Sequence, residues 1–266
     1  MKIKSRCKTG IDELDSELYG GIPVGSTVLV TGASGVGKTT VSMQFLTNGI
    51  NLDEKGVFFT TSETINKLIS HLNGYDFFDE NLIKLNKLSI IDLWNISDRL
   101  GLNPERYTAE DVNILFEVIR DITKELGAKR LVVDSITSLC YRLETNEMIR
   151  DFIFRLGTSL AAMNCTTILI SEIPPCVLQY SQYGIEEFIA DGIIFLEDVE
   201  RMGNLIRTLQ VIKMRGTAHN RTKFVLNLSS KNGVELAPML KSNVEFKRLE
   251  ASPSLLFGGT SEEEID

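Results

Sequence analysis

The sequence is poor in the residues that mark stapled, metal-bound or disordered proteins. Its 266 residues include four cysteines, two histidines, one tryptophan, 20 glycines and six prolines. The cysteines, which form no C-x-x-C pair and have no histidine nearby, are Cys7, Cys140, Cys165 and Cys176. Neither a zinc site nor a disulfide framework is expected from them, and they are interpreted as small buried apolar residues. With 43% hydrophobic and 24% charged residues, the composition is that of an ordinary globular protein.

Long apolar runs are also missing. The longest, such as Ile168 to Ile170 and Ile193 to Leu196, are far shorter than the roughly 18 residues that a membrane span needs. The basic start, Met1 to Arg6, leads into no apolar stretch of signal-peptide length. We therefore expect a cytoplasmic protein that does not associate with membranes.

Positive charge is scarce as well. Lys and Arg number 28 against 36 Asp and Glu, which gives a net charge of -8. Four of the acidic residues, Glu262, Glu263, Glu264 and Asp266, stand together near the end of the sequence. The acidic balance argues against a strong non-specific grip on nucleic acid, although it is compatible with a local basic groove.

Short apolar runs alternate with helical patterns through most of the chain. Six of these runs predict strands that are buried on both faces: Thr27 to Val30, Val57 to Thr60, Leu88 to Asp92, Arg130 to Val133, Thr167 to Ile170 and Gly192 to Leu196. Apolar residues recur at helical spacing from Val112 to Leu126 and from Ile149 to Leu160. The alternation is typical of βαβ units and predicts an α/β fold with a twisted, mostly parallel, doubly wound sheet.

The pattern changes towards the C-terminus. Apolar and polar residues alternate at period two from Thr208 to Met214 and from Lys223 to Leu228, which predicts an antiparallel extension of the sheet. Near the N-terminus, Thr9 to Leu18 is expected to form a short capped helix that ends at the turn Gly20-Gly21-Ile22-Pro23. No linker rich in Pro, Gly or Ser interrupts the chain. We therefore expect one domain over residues 1–240 and an acidic tail over 241–266.

One segment carries a strong phosphate-binding motif. Residues 32–39 match G-x-x-x-x-G-K-[ST] between a predicted strand and a predicted helix. Glycines let backbone N–H groups point at phosphates, Lys38 reaches the β and γ phosphates, and the Thr39 hydroxyl ligates Mg²⁺. A glycine-rich packing turn would explain neither the lysine nor the threonine. The expected ATP-binding residues of this loop are Gly32, Ser34, Gly35, Val36, Gly37, Lys38, Thr39 and Thr40.

A phosphate site of this kind needs a second carboxylate for the metal. Asp134 ends the apolar run Arg130 to Val133, and ligands of open α/β sheets bind at such strand ends. We expect Asp134 to hold Mg²⁺ through a water molecule, with a helix cap as the alternative. Asp92 is a rival that no magnesium-linked context favours.

Hydrolysis also needs a group that activates water. Glu63 follows the run Val57 to Thr60 and is expected at the same sheet edge, either as the general base or as a helix-start carboxylate. Lys213 and Arg215 lie two residues apart on one predicted strand. They either clamp a γ-phosphate, which a neighbouring subunit could hold, or blunt a solvated strand edge.

Taken together, these segments resemble the RecA superfamily and, within it, the KaiC-type ATPases of the circadian clock and their archaeal relatives. The resemblance spans about residues 9–236. It is carried by Thr9 to Asp15, Gly20 to Pro23, the phosphate loop running into Gln44 to Leu46, Val133 to Ser135, Tyr183 to Phe188, and Lys213 to His219.

The resemblance implies a RecA-like P-loop NTPase core that binds ATP and Mg²⁺. By it, Gly35 to Thr40 hold the phosphates and Asp134 is the Walker B acid. It also implies a homo-oligomer, typically a hexameric ring, with ATP at the subunit boundaries. The residues implied to contact ATP held by the adjacent subunit are Lys213, Arg215, Thr217 and His219.

Two departures from the family pattern bear on activity. Clock proteins place two glutamates in tandem after the second strand, whereas Ser62-Glu63 stands here, so turnover is weak or Glu63 serves as the base. Their second domain carries an autophosphorylated Ser-Thr pair, whereas Glu187-Phe188 stands at that position. Autokinase activity is therefore doubtful, and the clock function does not transfer.

The sequence therefore predicts a slowly hydrolysing ATPase whose catalytic residues are Lys38, Glu63, Asp134 and Arg215. It would act as an oligomeric, nucleotide-dependent switch in signal transduction with an unidentified protein partner. Two alternatives stay open: a recombinase-like, DNA-associated ATPase, which the acidic charge disfavours, and an ATP-locked scaffold with negligible turnover, which Ser62 favours.

Overall fold

The computed structural model describes residues 5–103, 105–175, 177 and 179–239. Nine strands form one mixed sheet in the order β11-β10-β9-β8-β3-β7-β6-β4-β5, and two short strands, β1 and β2, pair separately. The strands are β1 (Arg6–Cys7), β2 (Ile22–Pro23), β3 (Thr27–Gly32), β4 (Gly56–Thr60), β5 (Leu88–Asp92), β6 (Arg130–Asp134), β7 (Thr166–Glu172), β8 (Gly192–Arg201), β9 (Asn204–Met214), β10 (Lys223–Ser229) and β11 (Gly233–Pro238).

The centre of the sheet is parallel, and the six strands predicted from apolar runs are its six parallel strands. Every residue of β3, β4 and β6 is buried, because helices cover both faces. Successive residues of a strand face opposite layers: Val28 and Val30 belong to one apolar core and Leu29 belongs to the other. The predicted doubly wound sheet is confirmed.

The C-terminal strands run antiparallel, as the period-two pattern predicted. β9 pairs with β8 and β10 pairs with β9, while β11, which was not predicted, closes the edge beside β10. Because β9 is antiparallel to β8, its last residues lie at the edge where the parallel strands begin. This reversal decides where Lys213 and Arg215 are placed.

Nine helices among the described residues form the outer layers. They are α1 (Asp12–Glu17), α2 (Lys38–Ile50), α3 (Ile65–Leu72), α4 (Asn81–Lys84), α5 (Leu93–Arg99), α6 (Ala109–Glu125), α7 (Ile136–Cys140), α8 (Asn146–Ala162) and α9 (Glu186–Ile189). α1, α2 and α3 pack on one face of the sheet, and α5 to α8 pack on the other. The two helices predicted from apolar spacing are α6 and α8. None of the helices in the described part of the chain has both the length and the apolar character that crossing a membrane requires.

The N-terminal helix is shorter than expected. α1 begins at Asp12 after Ile11, and no side chain caps it. Instead, the Asp15 carboxylate reaches back and accepts hydrogen bonds from the Thr9 backbone N–H at 2.7 Å and the Thr9 hydroxyl at 2.9 Å. The tight segment before the helix is therefore fixed by a carboxylate inside the helix rather than by a cap in front of it.

Other expectations have mixed outcomes. Cys7, Cys140 and Cys165 are buried free thiols, as expected. Cys176 and the predicted tail, residues 241–266, lie outside the described residues, so the domain boundary stays a prediction.

Candidate functional site

The phosphate-binding motif forms the loop between β3 and α2. Gly32 ends β3 with φ +156°, and a Cβ atom there would lie 2.2 Å from the Leu196 carbonyl oxygen, so a side chain does not fit. Gly37 directly precedes α2 with φ +104°, a left-handed conformation that glycine adopts without strain. The motif thus delivers the N-terminus of a 13-residue helix to the carboxyl edge of the parallel sheet. Helix N-termini in such loops bind phosphate groups.

Lys38 lies inside this loop. Its side chain is 6% exposed, and its Nζ donates to the carbonyl oxygens of Gly32 at 2.9 Å and Ala33 at 2.7 Å. Burial lowers the pKa of Lys38, while the charges of Glu172 and Asp134 oppose that change. The ammonium group is therefore held under the loop by carbonyl dipoles, in reach of whatever anion the loop takes.

Asp134 and Thr39 meet at the same edge. The Thr39 hydroxyl donates to Asp134 Oδ2 at 2.7 Å, joining residues 95 positions apart in the chain. Asp134 is 8% exposed. Burial raises the pKa of Asp134, as do the charges of Glu172 and Glu63, while the Thr39 hydrogen bond and Lys38 lower it; the net result is a pKa of about 6. A buried carboxylate of this kind is stabilised as an anion when a cation stands beside it.

These two oxygen-bearing side chains fit a magnesium ion. Mg²⁺ prefers hard oxygen ligands and is usually bound by one or two protein groups together with substrate phosphates. Thr39 and Asp134 supply a hydroxyl and a carboxylate side by side. The described residues contain no cluster of three or more His, Cys, Asp or Glu that could hold a metal.

Glu63 lies close to this group but is engaged elsewhere. It follows β4, whose Thr60 is in register with Asp134 on β6, and its charge acts on the Asp134 carboxyl. Its own carboxylate lies 3.1 Å from His71 Nδ1 and 3.4 Å from Lys67 Nζ, both on α3. A helix-start carboxylate is the alternative role expected from the sequence. Glu63 immediately precedes Thr64, the N-cap of α3, so it lies just outside the first turn of that helix.

The rival carboxylate has a structural role. Asp92 caps α5 by accepting hydrogen bonds from the backbone N–H groups of Trp94 at 2.9 Å and Asn95 at 3.1 Å. Its carboxylate is used by the helix that it starts.

Sequence reasoning missed two residues beside the phosphate loop. Glu172 ends β7 in register with Gly32, and its charge acts on both Lys38 and Asp134. The predicted strand stopped at Ile170, two residues too early, which hid this strand-end carboxylate. Arg207 on β9 donates from Nε to the Gly35 carbonyl oxygen at 3.3 Å, and no motif in the sequence signals that contact.

The basic residues lie elsewhere. Lys213 Nζ donates to the carbonyl oxygens of Glu187 at 2.9 Å and Ala190 at 2.7 Å. Arg215 Nη2 donates to the Phe188 carbonyl oxygen at 2.9 Å. Both cations are thus held by backbone carbonyls at the end of α9, which suits positive charge at a helix C-terminus.

Next to them lies the loop 216–219. His219 Nδ1 is 3.3 Å from the Thr217 carbonyl oxygen, and His219 Nε2 is buried without a partner in the described structure. A cleft of about 490 Å³ runs along this region, and its polar wall is formed by Lys213, Arg215, His219 and Arg221. Arg221 was not identified from the sequence. Lys213, Arg215 and Arg221 bring three positive charges to the cleft against the one carboxylate of Glu187, so the cleft is basic.

The phosphate loop and the basic cleft stand at opposite edges of the sheet. Gly32, at the end of β3, pairs with Leu196, whereas Val28, near the start of β3, pairs with Gly192, and Gly192 faces Met214. Four residues of strand separate these ends, about 13 Å at 3.3 Å per residue. The structure therefore brings Lys38, Thr39 and Asp134 together but does not bring Lys213, Arg215 and His219 to them within one chain.

Comparison with known proteins places the chain in a family. A sequence model of the family described as "ATPase: KaiC" matches residues 7–241. The chain is 33% identical over 238 residues to the circadian clock oscillator protein KaiC of Nostoc sp. PCC 7120, covering 88% of this chain and 44% of that protein. It thus spans less than half the length of this clock protein.

Single-domain relatives match along their whole length. A UPF0273 protein of Thermotoga maritima is 33% identical over 236 residues, which cover 88% of this chain and 96% of that protein. The crystal structure of a KaiC-like protein from Pyrococcus horikoshii OT3 superposes with a TM-score of 0.76 at 36% identity. It covers 89% of this chain and 100% of that chain.

Proposed function

The chain belongs to the family of KaiC-type ATPases, and from that premise we propose that it hydrolyses ATP at sites shared between neighbouring copies of itself. The observation that carries the proposal is the separation of two half-sites. The phosphate loop with Lys38, Thr39 and Asp134 occupies one edge of the sheet, and the basic cleft occupies the other. Neither half can complete the other within one chain, whereas a head-to-tail ring would join them.

Within the first half-site, each residue has a distinct role. The backbone N–H groups of residues 35–40 and the Lys38 ammonium bind the phosphates of ATP and orient the γ-phosphoryl group for attack in line. Thr39 and Asp134 would hold Mg²⁺, Asp134 through a water molecule. The metal, when bound, neutralises charge on the β and γ phosphates.

Glu63 is the proposed general base. Its carboxylate lies near enough to Asp134 for their charges to interact. His71 and Lys67 hold that carboxylate on the α3 side, so it must turn from them to accept a proton from the attacking water. Because Ser62 stands in place of the first of the two tandem glutamates of clock proteins, we expect slow turnover.

The second half-site serves the neighbouring copy. Lys213 and Arg215 would approach the γ-phosphate held by that copy and stabilise the charge that develops during transfer. Thr217 and His219 would bind the same nucleotide, and this role is supported by His219 Nε2, which is buried and has no hydrogen-bond partner in the described part of the chain. The assembly would be a homo-oligomer, with six copies as the expected ring.

The biological role follows from a site at a subunit boundary. ATP and its products would change how copies fit together and hence which surface an unidentified partner protein meets. We propose that the protein acts in this way as a cytoplasmic switch in signal transduction.

The decisive experiment is complementation in mixed assemblies. Lys38→Ala removes phosphate binding, Arg215→Ala removes the basic contribution, and each variant alone should be inactive. Co-assembled in equal amounts, they should recover about one quarter of the wild-type rate, because half the loops are intact and half of those meet an intact basic edge. A mixture of Lys38→Ala with Asp134→Asn, both defective in the same half-site, is the control and should recover nothing. Absence of recovery in the first mixture would refute the shared site.

A recombinase-like role is the second candidate, favoured by the three cationic side chains that line the cleft, those of Lys213, Arg215 and Arg221. It requires that single-stranded or duplex DNA stimulate phosphate release, with stimulation that falls steeply as salt rises. Unchanged release with DNA at low salt removes this candidate.

An ATP-locked scaffold is the third candidate, favoured by Ser62 and by the engagement of Glu63 with α3. It requires that purified protein retain unhydrolysed ATP after long incubation with Mg²⁺. Steady phosphate release that Lys38→Ala abolishes would exclude it.

A further inference from the structure

The N-terminal segment carries sequence motifs that the proposed site does not use. Its first strand, β1, places Arg6 beside the loop 216–219. Arg6 Nη1 donates to the Thr217 hydroxyl at 2.6 Å and to the Gly21 carbonyl oxygen at 3.2 Å, and Nη2 lies 3.5 Å from the Gly216 carbonyl oxygen. The Thr217 contact joins two parts of the chain that are 211 positions apart, so it is a tertiary contact and not part of a local turn.

The position of Arg6 is fixed by the turn between Gly20 and Pro23. β1 pairs with β2, Arg6 opposite Pro23 and Cys7 opposite Ile22. Gly21 adopts φ +117°, and a Cβ atom there would lie 2.3 Å from the Cys7 carbonyl oxygen. The glycine is needed for the close approach of the two strands, and that approach delivers Arg6 to the loop.

The other end of the segment is anchored in the core. The Lys8 carbonyl oxygen accepts a hydrogen bond from Nη1 of the fully buried Arg130 at 2.6 Å. The Gly10 carbonyl oxygen accepts one from Gln44 Nε2 on α2 at 2.8 Å. Arg6 is therefore a rigid support, since the backbone on its C-terminal side is tied to the sheet and to the helix that follows the phosphate loop.

The loop 216–219 is held less firmly by its own backbone than the N-terminal segment is. The Thr217 N–H donates to the Met214 carbonyl oxygen at 3.3 Å, and Gly216 turns the chain with φ +73°. A threonine hydroxyl has one proton to donate and two lone pairs to accept with. Because Arg6 donates to one lone pair of Thr217, the hydroxyl proton is free to point outward to an acceptor oxygen.

We propose that Arg6 is a positioning residue that holds the Thr217 hydroxyl and the loop around it in the orientation that binds ATP on the adjacent subunit. The inference rests on the proposed function, because it needs the shared site. Arg6 does not touch the nucleotide itself. It acts only on the neighbour's reaction, through Thr217, and not on the reaction at the phosphate loop of its own chain.

The test places Arg6→Ala in one partner of the mixed assembly at a time. In a Lys38→Ala background the altered subunit supplies the basic loop to an Arg215→Ala partner, and recovered ATP hydrolysis should fall about tenfold. In an Arg215→Ala background the altered subunit supplies only a phosphate loop to a Lys38→Ala partner, and recovery should be unchanged. Arg6→Lys, which keeps one cationic donor, should restore a large part of the lost activity.

A merely structural role for Arg6 would lower recovery equally in both placements, and that result would overturn the proposal, as would full recovery in both. Arg106→Ala is the matched control, since Arg106 is an exposed arginine paired with Glu144 at 2.7 Å. It should leave recovery unchanged in either placement.

If Arg6→Ala does not fold, Arg6→Gln, which is too short to keep both acceptors, replaces it with the same two expectations. If the mixture of Lys38→Ala and Arg215→Ala with Arg6 unchanged recovers no activity, the shared site itself is refuted. If that mixture recovers activity but the placement of Arg6→Ala makes no difference, only the role of Arg6 is refuted.

Discussion

The two edges of the sheet differ in how far a single chain completes them. At the phosphate edge, Lys38 and Asp134 are 6% and 8% exposed and have hydrogen-bond partners in their own chain. At the basic edge, the Arg215 side chain is 54% exposed and the Nε2 atom of His219 has no partner among the described residues. The first edge is preorganised by folding. The second presents the exposed Arg215 guanidinium to solvent, which suits a surface that another molecule completes.

The largest effect is expected at the phosphate edge. Lys38→Ala should lower ATP hydrolysis to background and weaken ATP binding, because no other cation lies under the loop carbonyls at Gly32 and Ala33 in the described structure. The melting temperature should not fall, since a buried ammonium is removed rather than a packed apolar group. Phosphate release and equilibrium ATP binding measure the change. Lys84→Ala, an exposed lysine paired with Glu80, is the control, and equal losses in both variants would contradict the assignment.

A smaller loss is expected at the basic edge. Arg215→Ala should lower turnover about a hundredfold while changing ATP affinity much less, because its charge acts on the transition state at another subunit's phosphate. The split between kcat and KM is the readout. If KM rises while kcat is kept, Arg215 binds the ground state only and the contrast between the two edges loses its catalytic part.

An exposed apolar side chain near the cleft offers a way to test whether another subunit covers the basic edge in the assembly. Phe188, which is 64% exposed, follows Glu187 beside the Arg215 contacts. Phe188→Ser should weaken assembly about tenfold in a concentration series of mass measurements, because apolar contacts at the centre of an interface carry much of its stability. Leu85→Ser, at a similarly exposed leucine on another part of the surface, should not. If the assemblies of Phe188→Ser and of the wild type have equal masses at every concentration, Phe188 is not part of a subunit interface at this edge.

The smallest effect is a shift in pH dependence. Burial lowers the pKa of Lys213 below its ordinary 10.5, and Arg215 lowers it further, while Asp191 and Glu187 oppose the change. In the proposed shared site the cationic form of Lys213 contacts phosphate, so hydrolysis should decline on the alkaline side at a pH below 10.5 as Lys213 loses its proton. Lys213→Arg should move that decline to higher pH, since arginine stays charged. An unmoved alkaline limb would show that Lys213 does not set it.

Much of the fold could be predicted because its signals are local. Runs of buried residues gave the six parallel strands, and helical spacing gave α6 and α8. Strand ends were less certain: the two residues beyond Ile170 extend β7 to Glu172, and that difference hid a carboxylate of the site. Polar residues at a strand end carry no periodic signal, so only the pairing of β7 with β3 reveals where the strand stops.

The candidate site divides in the same way. The phosphate loop is contiguous, and Asp134 was predictable from its position after an apolar run, because parallel strands end at one edge. Arg207, Arg221 and Arg6 were not predictable. Arg207 and Arg6 contact Gly35 and Thr217, which lie far along the chain, and Arg221 lines a cleft built from separate segments. Neither spacing nor composition records which residues a hairpin or an N-terminal strand will meet.

The sequence by itself determined the phosphate loop, the parallel strands and the chemistry available to them, because each depends on residues that are neighbours in the chain or share one regular period. The tertiary structure decided that Lys213 and Arg215 lie at the edge opposite to Lys38. A period-two pattern defines a strand but not its direction, and only the antiparallel pairing of β9 with β8 turns those cations away from their own phosphate loop.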